Sequence, residues 1–243
     1  MSNRPGSKTS ASQRVRAASN AGKSRSTAWI WIGIVAVVVI VGIFAVVVGR
    51  GGSSSGGGSS PSGGTVVPSG KLDYGKVAVT GTGLAPKPES GADPAIGMTI
   101  PSIVGQQFDG KQLTIAADGK PHIIMVVAHW CPHCQAEVPR VQKWLNASGM
   151  PADVDLVTIT TANDPAKGNF PAADWLRRED WSVPTIVDDK DTQAATALGV
   201  SGFPYFLVTN GQGKVVFRTS GEITEQQWNA LLEAARTGNP PAV

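Results

Sequence analysis

The chain has 243 residues, with 21 Lys and Arg against 18 Asp and Glu, a formal net charge of +3. The excess is confined to one end: six basic residues (Arg4, Lys8, Arg14, Arg16, Lys23 and Arg25) precede the apolar run at 28–49 and no acidic residue occurs before Asp73, whereas residues 51–243 carry 14 basic and 18 acidic side chains, a net of −4. A basic balance held in a tail argues against a nucleic-acid-binding fold, and two cysteines, Cys131 and Cys134, allow one dithiol pair and no second disulfide.

Residues 1–27 are rich in Ser, Arg and Asn without hydrophobic periodicity, which predicts a disordered basic tail. Residues 28–49 are apolar, with no charge from Ala28 to Val48. As a helix this stretch is roughly 33 Å long, enough to cross a bilayer core. Trp29 and Trp31 stand at its start, where interfacial aromatics are common. The positive charges before it place the N-terminus in the cytoplasm and the rest of the chain outside. The run is too long for a usual signal-peptide core and ends without a small-x-small cleavage site, so a retained single transmembrane helix is expected. No cysteine lies near its end to carry a lipid. Residues 50–95 are rich in Gly, Ser and Pro and read as a flexible extracytoplasmic linker, with Val77 and Val79 as the one hint of a strand. The folded domain is then expected over residues 96–238.

Within that domain strands and helices alternate. Residues 112–115 form a short strand candidate, and 122–128 are a continuous apolar run suited to a central buried strand. A helix is expected from Cys131 over 135–145, a strand over 154–160, and a short helix opened by Pro171. A strand at 185–187 and a short helix at 192–198, ended by Gly199, come next. Residues 203–209 and 214–218 are joined by Asn210-Gly211-Gln212-Gly213, a hairpin signal, and 223–236 is amphipathic. This order predicts an α/β sandwich with a mixed sheet. Trp144, Trp175, Trp181 and Trp228 are expected in its core, and Asp164, Asp188, Asp189 and Asp191 on solvated loops.

The chemistry is concentrated in Trp130-Cys131-Pro132-His133-Cys134, which follows the apolar run and opens a helix. A cysteine at a helix N-terminus gains thiolate character from unpaired N–H groups and the helix dipole, and the thiolate is the nucleophile. Cys134, one turn on, is placed to resolve a mixed disulfide. His133 in the loop adds positive charge that lowers the first thiol's pKa.

Two motifs together, Trp130-Cys131-Pro132-His133-Cys134 and Gly199-Val200-Ser201-Gly202-Phe203-Pro204 before a strand, resemble the thioredoxin-like superfamily. The resemblance implies a three-layer α/β/α sandwich with a mixed central sheet, here preceded by the transmembrane helix. Cys131-Pro132-His133-Cys134-Gln135-Ala136-Glu137-Val138-Pro139 is most similar to the signature of TlpA-like, membrane-anchored periplasmic thiol–disulfide oxidoreductases. The resemblance makes Cys131 the exposed attacking thiolate, Cys134 the resolving thiol and Pro204 a cis-proline facing them. Phe203 then offers its backbone to an extended substrate, and Trp130 shapes the docking surface. Glu137 takes the proton from Cys134 or tunes it, the alternative being a solvated surface glutamate. Thioredoxin proper has a buried Asp where this chain has Met125, and His129 is expected as a partly exposed loop histidine.

These features imply a thiol–disulfide oxidoreductase whose only redox group is the Cys131–Cys134 disulfide, with no other cofactor and no assigned metal. Its partners would be cysteine-containing exported proteins and a membrane redox partner that recharges the pair. TlpA-like proteins are mostly reducing, while Pro-His in the loop is the dipeptide of DsbA-type oxidants, so direction is left open. The reference potentials span from about −270 mV for thioredoxin to about −120 mV for DsbA. A second reading takes His129, Cys131, His133 and Cys134 as soft-metal ligands in a copper chaperone; a third is a tethered binding module without turnover.

Overall fold

The computed structural model describes residues 70–241. The tail at 1–27, the apolar segment at 28–49 and the first part of the linker lie outside the described residues. Among the described residues no helix is long and apolar enough to cross a membrane.

Among the described residues eight strands and four helices follow one another: β1 (Val77–Thr80), β2 (Ser102–Gln106), β3 (Gln112–Ile115), β4 (His122–Val127), α1 (Pro132–Ser148), β5 (Asp155–Thr160), α2 (Ala172–Arg178), β6 (Thr185–Val187), α3 (Gln193–Ala197), β7 (Tyr205–Thr209), β8 (Val215–Ser220) and α4 (Glu225–Thr237). The sheet runs β1-β2-β6-β5-β4-β7-β8, with β3 also paired to β2. β4 is parallel to β5, and β5 to β6, while β7 runs antiparallel to β4 and β8 to β7. This is the mixed sheet of a thioredoxin-like α/β fold.

The central strand explains the layering. All six residues of β4 are buried, because a strand with parallel and antiparallel neighbours is covered on both faces. Its side chains alternate. Ile123, Met125 and Val127 join one core with Val138 and Val141 of α1, Trp175 of α2 and Trp228 of α4. Ile124 and Val126 join a second core with Ile103 of β2, Ala194 and Ala195 of α3 and Leu207 of β7. The four tryptophans expected in the core are all buried, and Trp144 stacks on Trp228 with ring centroids 6.2 Å apart.

The domain begins earlier than the composition suggests. Val77 to Thr80 pair with β2, Leu84 and Ala95 are buried, and Leu84 donates its N–H to the Ala197 carbonyl at 2.8 Å. Asp93 forms an ion pair with the buried Arg218. Residues 71–95 therefore belong to the folded unit rather than to a linker. Gly and Pro make such a segment look loose, but its order comes from partners far along the chain. Strand β2 carries no sequence signal: Pro101 and Gly105 read as breakers. Gly105 is required because a Cβ there would meet Cγ2 of Ile186 at 2.4 Å.

Candidate active site

Strand β4 delivers Ala128, His129 and Trp130 to the start of α1, with Cys131 as its N-cap residue in an extended conformation (φ −78°, ψ 120°). Pro132 suits the first helical turn because its missing N–H would be unpaired there. The Cys131 side chain makes no capping hydrogen bond, and no acidic residue sits in the first turn. Nothing in that turn competes with a thiolate for the positive end of the helix dipole. Pro139 lies inside α1, which nonetheless continues to Ser148.

Both cysteines are free thiols. Cys131 is less open than expected, at 7% exposure, and Cys134 is fully covered. Burial pushes the Cys134 thiol far above its ordinary range, and the nearby Cys131 sulfur and Glu137 carboxylate add to this. Across from them the Phe203–Pro204 bond is cis. The Cys131 thiol donates to the Phe203 carbonyl at 3.7 Å, so that carbonyl faces the sulfur. The Trp130 ring meets Phe203 edge-on at 6.1 Å, its Nε1 donates to the Ala162 carbonyl at 2.8 Å, and Lys167 Nζ lies 3.9 Å from its centroid.

Glu137 is not a surface residue. Its side chain is fully buried. Its Oε1 accepts the Ile223 N–H at 3.0 Å and its Oε2 accepts from Arg140 Nη1 at 2.6 Å. Burial raises its pKa, against the lowering effect of those two donors. His133 is exposed and turned toward Glu222, with Nδ1 2.7 Å from Oε1. Arg140 donates from Nη2 to the other oxygen of Glu222 at 2.9 Å. Met125 occupies the buried position where thioredoxin has its Asp.

His129 departs furthest from expectation. It is fully buried rather than partly exposed. Its Nε2 accepts the Asp164 N–H at 3.0 Å, which leaves the proton on Nδ1, 2.7 Å from the Gly168 carbonyl. It thereby ties the loop after β5 to the cysteine loop. Burial lowers its pKa. With both ring nitrogens held by backbone, His129 is not free to ligate a metal beside the cysteines. Among the described residues the one cluster of potential ligands is Asp118, His122 and Asp155, which contains neither cysteine. Asp188 is likewise buried rather than solvated, accepting from Thr161 Oγ1 and from the Ala194 and Ala195 N–H groups of α3.

Sequence reasoning did not single out Arg140 or Glu222. The three-residue spacing of Glu137 and Arg140 on a helix is a signal for the first. Nothing local points to Glu222, which sits 89 residues from His133.

The sequence profile described as Redoxin matches residues 95–232. Over 124 residues the chain is 32% identical to the thiol:disulfide interchange protein DsbE of Yersinia pestis, covering 51% of this chain and 60% of that protein. It is 27% identical over 142 residues to the DsbE of Escherichia coli K12, covering 57% of this chain and 72% of that one. Among solved structures, the thioredoxin domain of a thiol-disulfide oxidoreductase from Bacteroides vulgatus aligns at a TM-score of 0.48 and 18% identity, over 58% of this chain and 99% of that domain. With a cysteine pair at a helix start, a cis-proline opposite it and more than half its length matched by one family profile, this chain belongs to the Redoxin family.

Proposed function

We propose that this chain is a thiol–disulfide oxidoreductase, tethered to a membrane by residues 28–49, that exchanges the Cys131–Cys134 pair with cysteine-containing proteins outside the cytoplasm. The observation that carries the chemistry is the placement of Cys131 at the α1 N-terminus, with its sulfur against the carbonyl that precedes cis-Pro204. The DsbE names of the relatives support the same reaction class.

In the reducing direction the Cys131 thiolate attacks one sulfur of a substrate disulfide. That S–S bond breaks, the other substrate sulfur leaves as a thiol, and a mixed disulfide forms. Cys134 then loses its proton to Glu137 and attacks the Cys131 sulfur, releasing the second substrate thiol. Two electrons and two protons pass from the pair to the substrate, and the pair is left as a disulfide. The reverse sequence oxidises a substrate dithiol. Since burial holds Cys134 protonated, it becomes a nucleophile only when a base beside it takes the proton. Pro204 contributes no N–H donor near the sulfurs, and Trp130 and Phe203 form the apolar rim against which a substrate segment lies. A separate membrane redox partner restores the pair after each turnover.

The test uses the full chain and a disulfide-bonded model protein. Cys131→Ser abolishes exchange, while Cys134→Ser accumulates a mixed disulfide that thiol-selective gel shift detects. Undiminished exchange in Cys131→Ser refutes the assignment.

A further inference from the structure

His133, Glu222, Arg140 and Glu137 form one chain of contacts from the exposed cysteine loop to the buried carboxylate. Glu222 is its hinge. One carboxylate oxygen faces His133 Nδ1 at 2.7 Å and the other accepts from Arg140 at 2.9 Å. Arg140 also reaches Glu137 at 2.6 Å. Glu222 comes from the turn between β8 and α4, so two distant segments meet at the active-site loop. Hydrogen bonds with His133 and Arg140 hold its carboxyl below the usual range, so it is ionised near neutral pH.

A cation beside Cys131 stabilises the thiolate, hence the reduced form, and makes the disulfide a stronger oxidant. His133 of the Pro-His loop supplies such a cation whenever its imidazole is protonated. A carboxylate in contact with it turns a single charge into an ion pair, whose field falls off faster with distance. Arg140, which does not titrate near neutrality, is paired by the same group. Resting on the exchange reaction above, we propose that Glu222 is a positioning residue that sets the redox poise of the pair. Its carboxylate withholds the His133 charge from the Cys131 thiolate and biases the dithiol toward giving up its two electrons and two protons to substrate disulfides. The dipeptide of an oxidant is thereby offset by a tertiary contact.

The experiment equilibrates the full chain in detergent with reduced and oxidised glutathione, for the wild type, Glu222→Gln, His133→Ala and the double variant. The disulfide fraction is read by thiol alkylation, and the pH profile of Cys131 alkylation is recorded alongside. At about pH 6, where an imidazole without a counter-ion is still mostly protonated, Glu222→Gln makes the disulfide about tenfold easier to reduce. It also moves the alkylation profile to lower pH. In the His133→Ala background the same substitution changes the equilibrium by about threefold or less, because its effect runs through the imidazole. An unchanged equilibrium in Glu222→Gln, or an equal effect with and without His133, overturns the proposal and leaves the exchange reaction standing. If the wild type forms no reversible disulfide, both fall. Glu222 lies in a surface turn, and an unchanged melting temperature shows that the fold is retained.

Discussion

Glu137 and His129 flank the cysteine pair, and burial favours the uncharged form of each. For Glu137 this raises the pKa, the direction that its proposed role as proton acceptor requires. Glu137→Gln keeps an oxygen for the Ile223 N–H but has no site for that proton. The resolving step is therefore expected to slow by about 10²-fold, with the mixed disulfide accumulating in stopped-flow quench measurements. For His129, burial lowers the pKa from the ordinary value of 6.5. The unfolded chain then takes up the proton before the folded one does. The stability linked to this group is fully present above the ordinary value and is lost as pH falls from there toward the folded value. Glu137 acts in the opposite sense, since a raised carboxyl pKa means stability lost as pH rises through it. Comparison of the wild type with His129→Gln separates the two. The urea midpoint is expected to drop between about pH 7 and about pH 5, and to drop less in the variant. The two residues were not equally legible. Glu137 stands at a recognisable spacing from Cys134, whereas the burial of His129 comes from Gly168 and Asp164, neither of which a local pattern connects to it.

The segment before β2 shows what composition conceals. Arg218 of β8 is buried and bonded to Asp93 Oδ2 at 2.8 Å and to the Ala85 carbonyl at 2.9 Å. Asp93→Ala leaves a guanidinium in the core without its counter-ion. A loss of about 3 kcal/mol is expected, because removing one partner of a buried pair strands the other charge. Chemical denaturation measures it, and a change below about 0.5 kcal/mol, as for an ordinary surface site, contradicts the placement of this segment. Elements with strong local signals were visible beforehand: β4 as an apolar run, β5 as a run rich in β-branched residues, α4 as an amphipathic stretch. Gly199, with φ +67°, follows α3 as the helix-ending glycine that its position suggested. Strand β2 and the early start of the domain were hidden, since their order depends on strand pairing and on ion pairs across more than 100 residues.

The molecule joins a redox domain to an apolar N-terminal segment, and the proposed tether has a direct consequence. The full chain is expected to stay with the membrane fraction after alkaline carbonate extraction, whereas a chain starting at Gly70 is released. Recovery of the full chain in the supernatant refutes the anchor. Local covalent order explains why the reactive unit could be recognised from the letters alone. A strand, a Trp-Cys-Pro-His-Cys loop and a helix are adjacent in the chain, so their mutual geometry follows from backbone rules and the helix dipole. The cis-proline loop was found by its own motif. The electrostatic setting of that unit was not legible. Whether His133 acts as a free charge or half of an ion pair, whether Glu137 is wet or dry, and whether His129 ligates or staples all depend on residues between 3 and 89 positions away. Charge–charge and burial energies depend on distance in space. The chain sets that distance only where the contacting residues are near neighbours along it, and folding sets the rest.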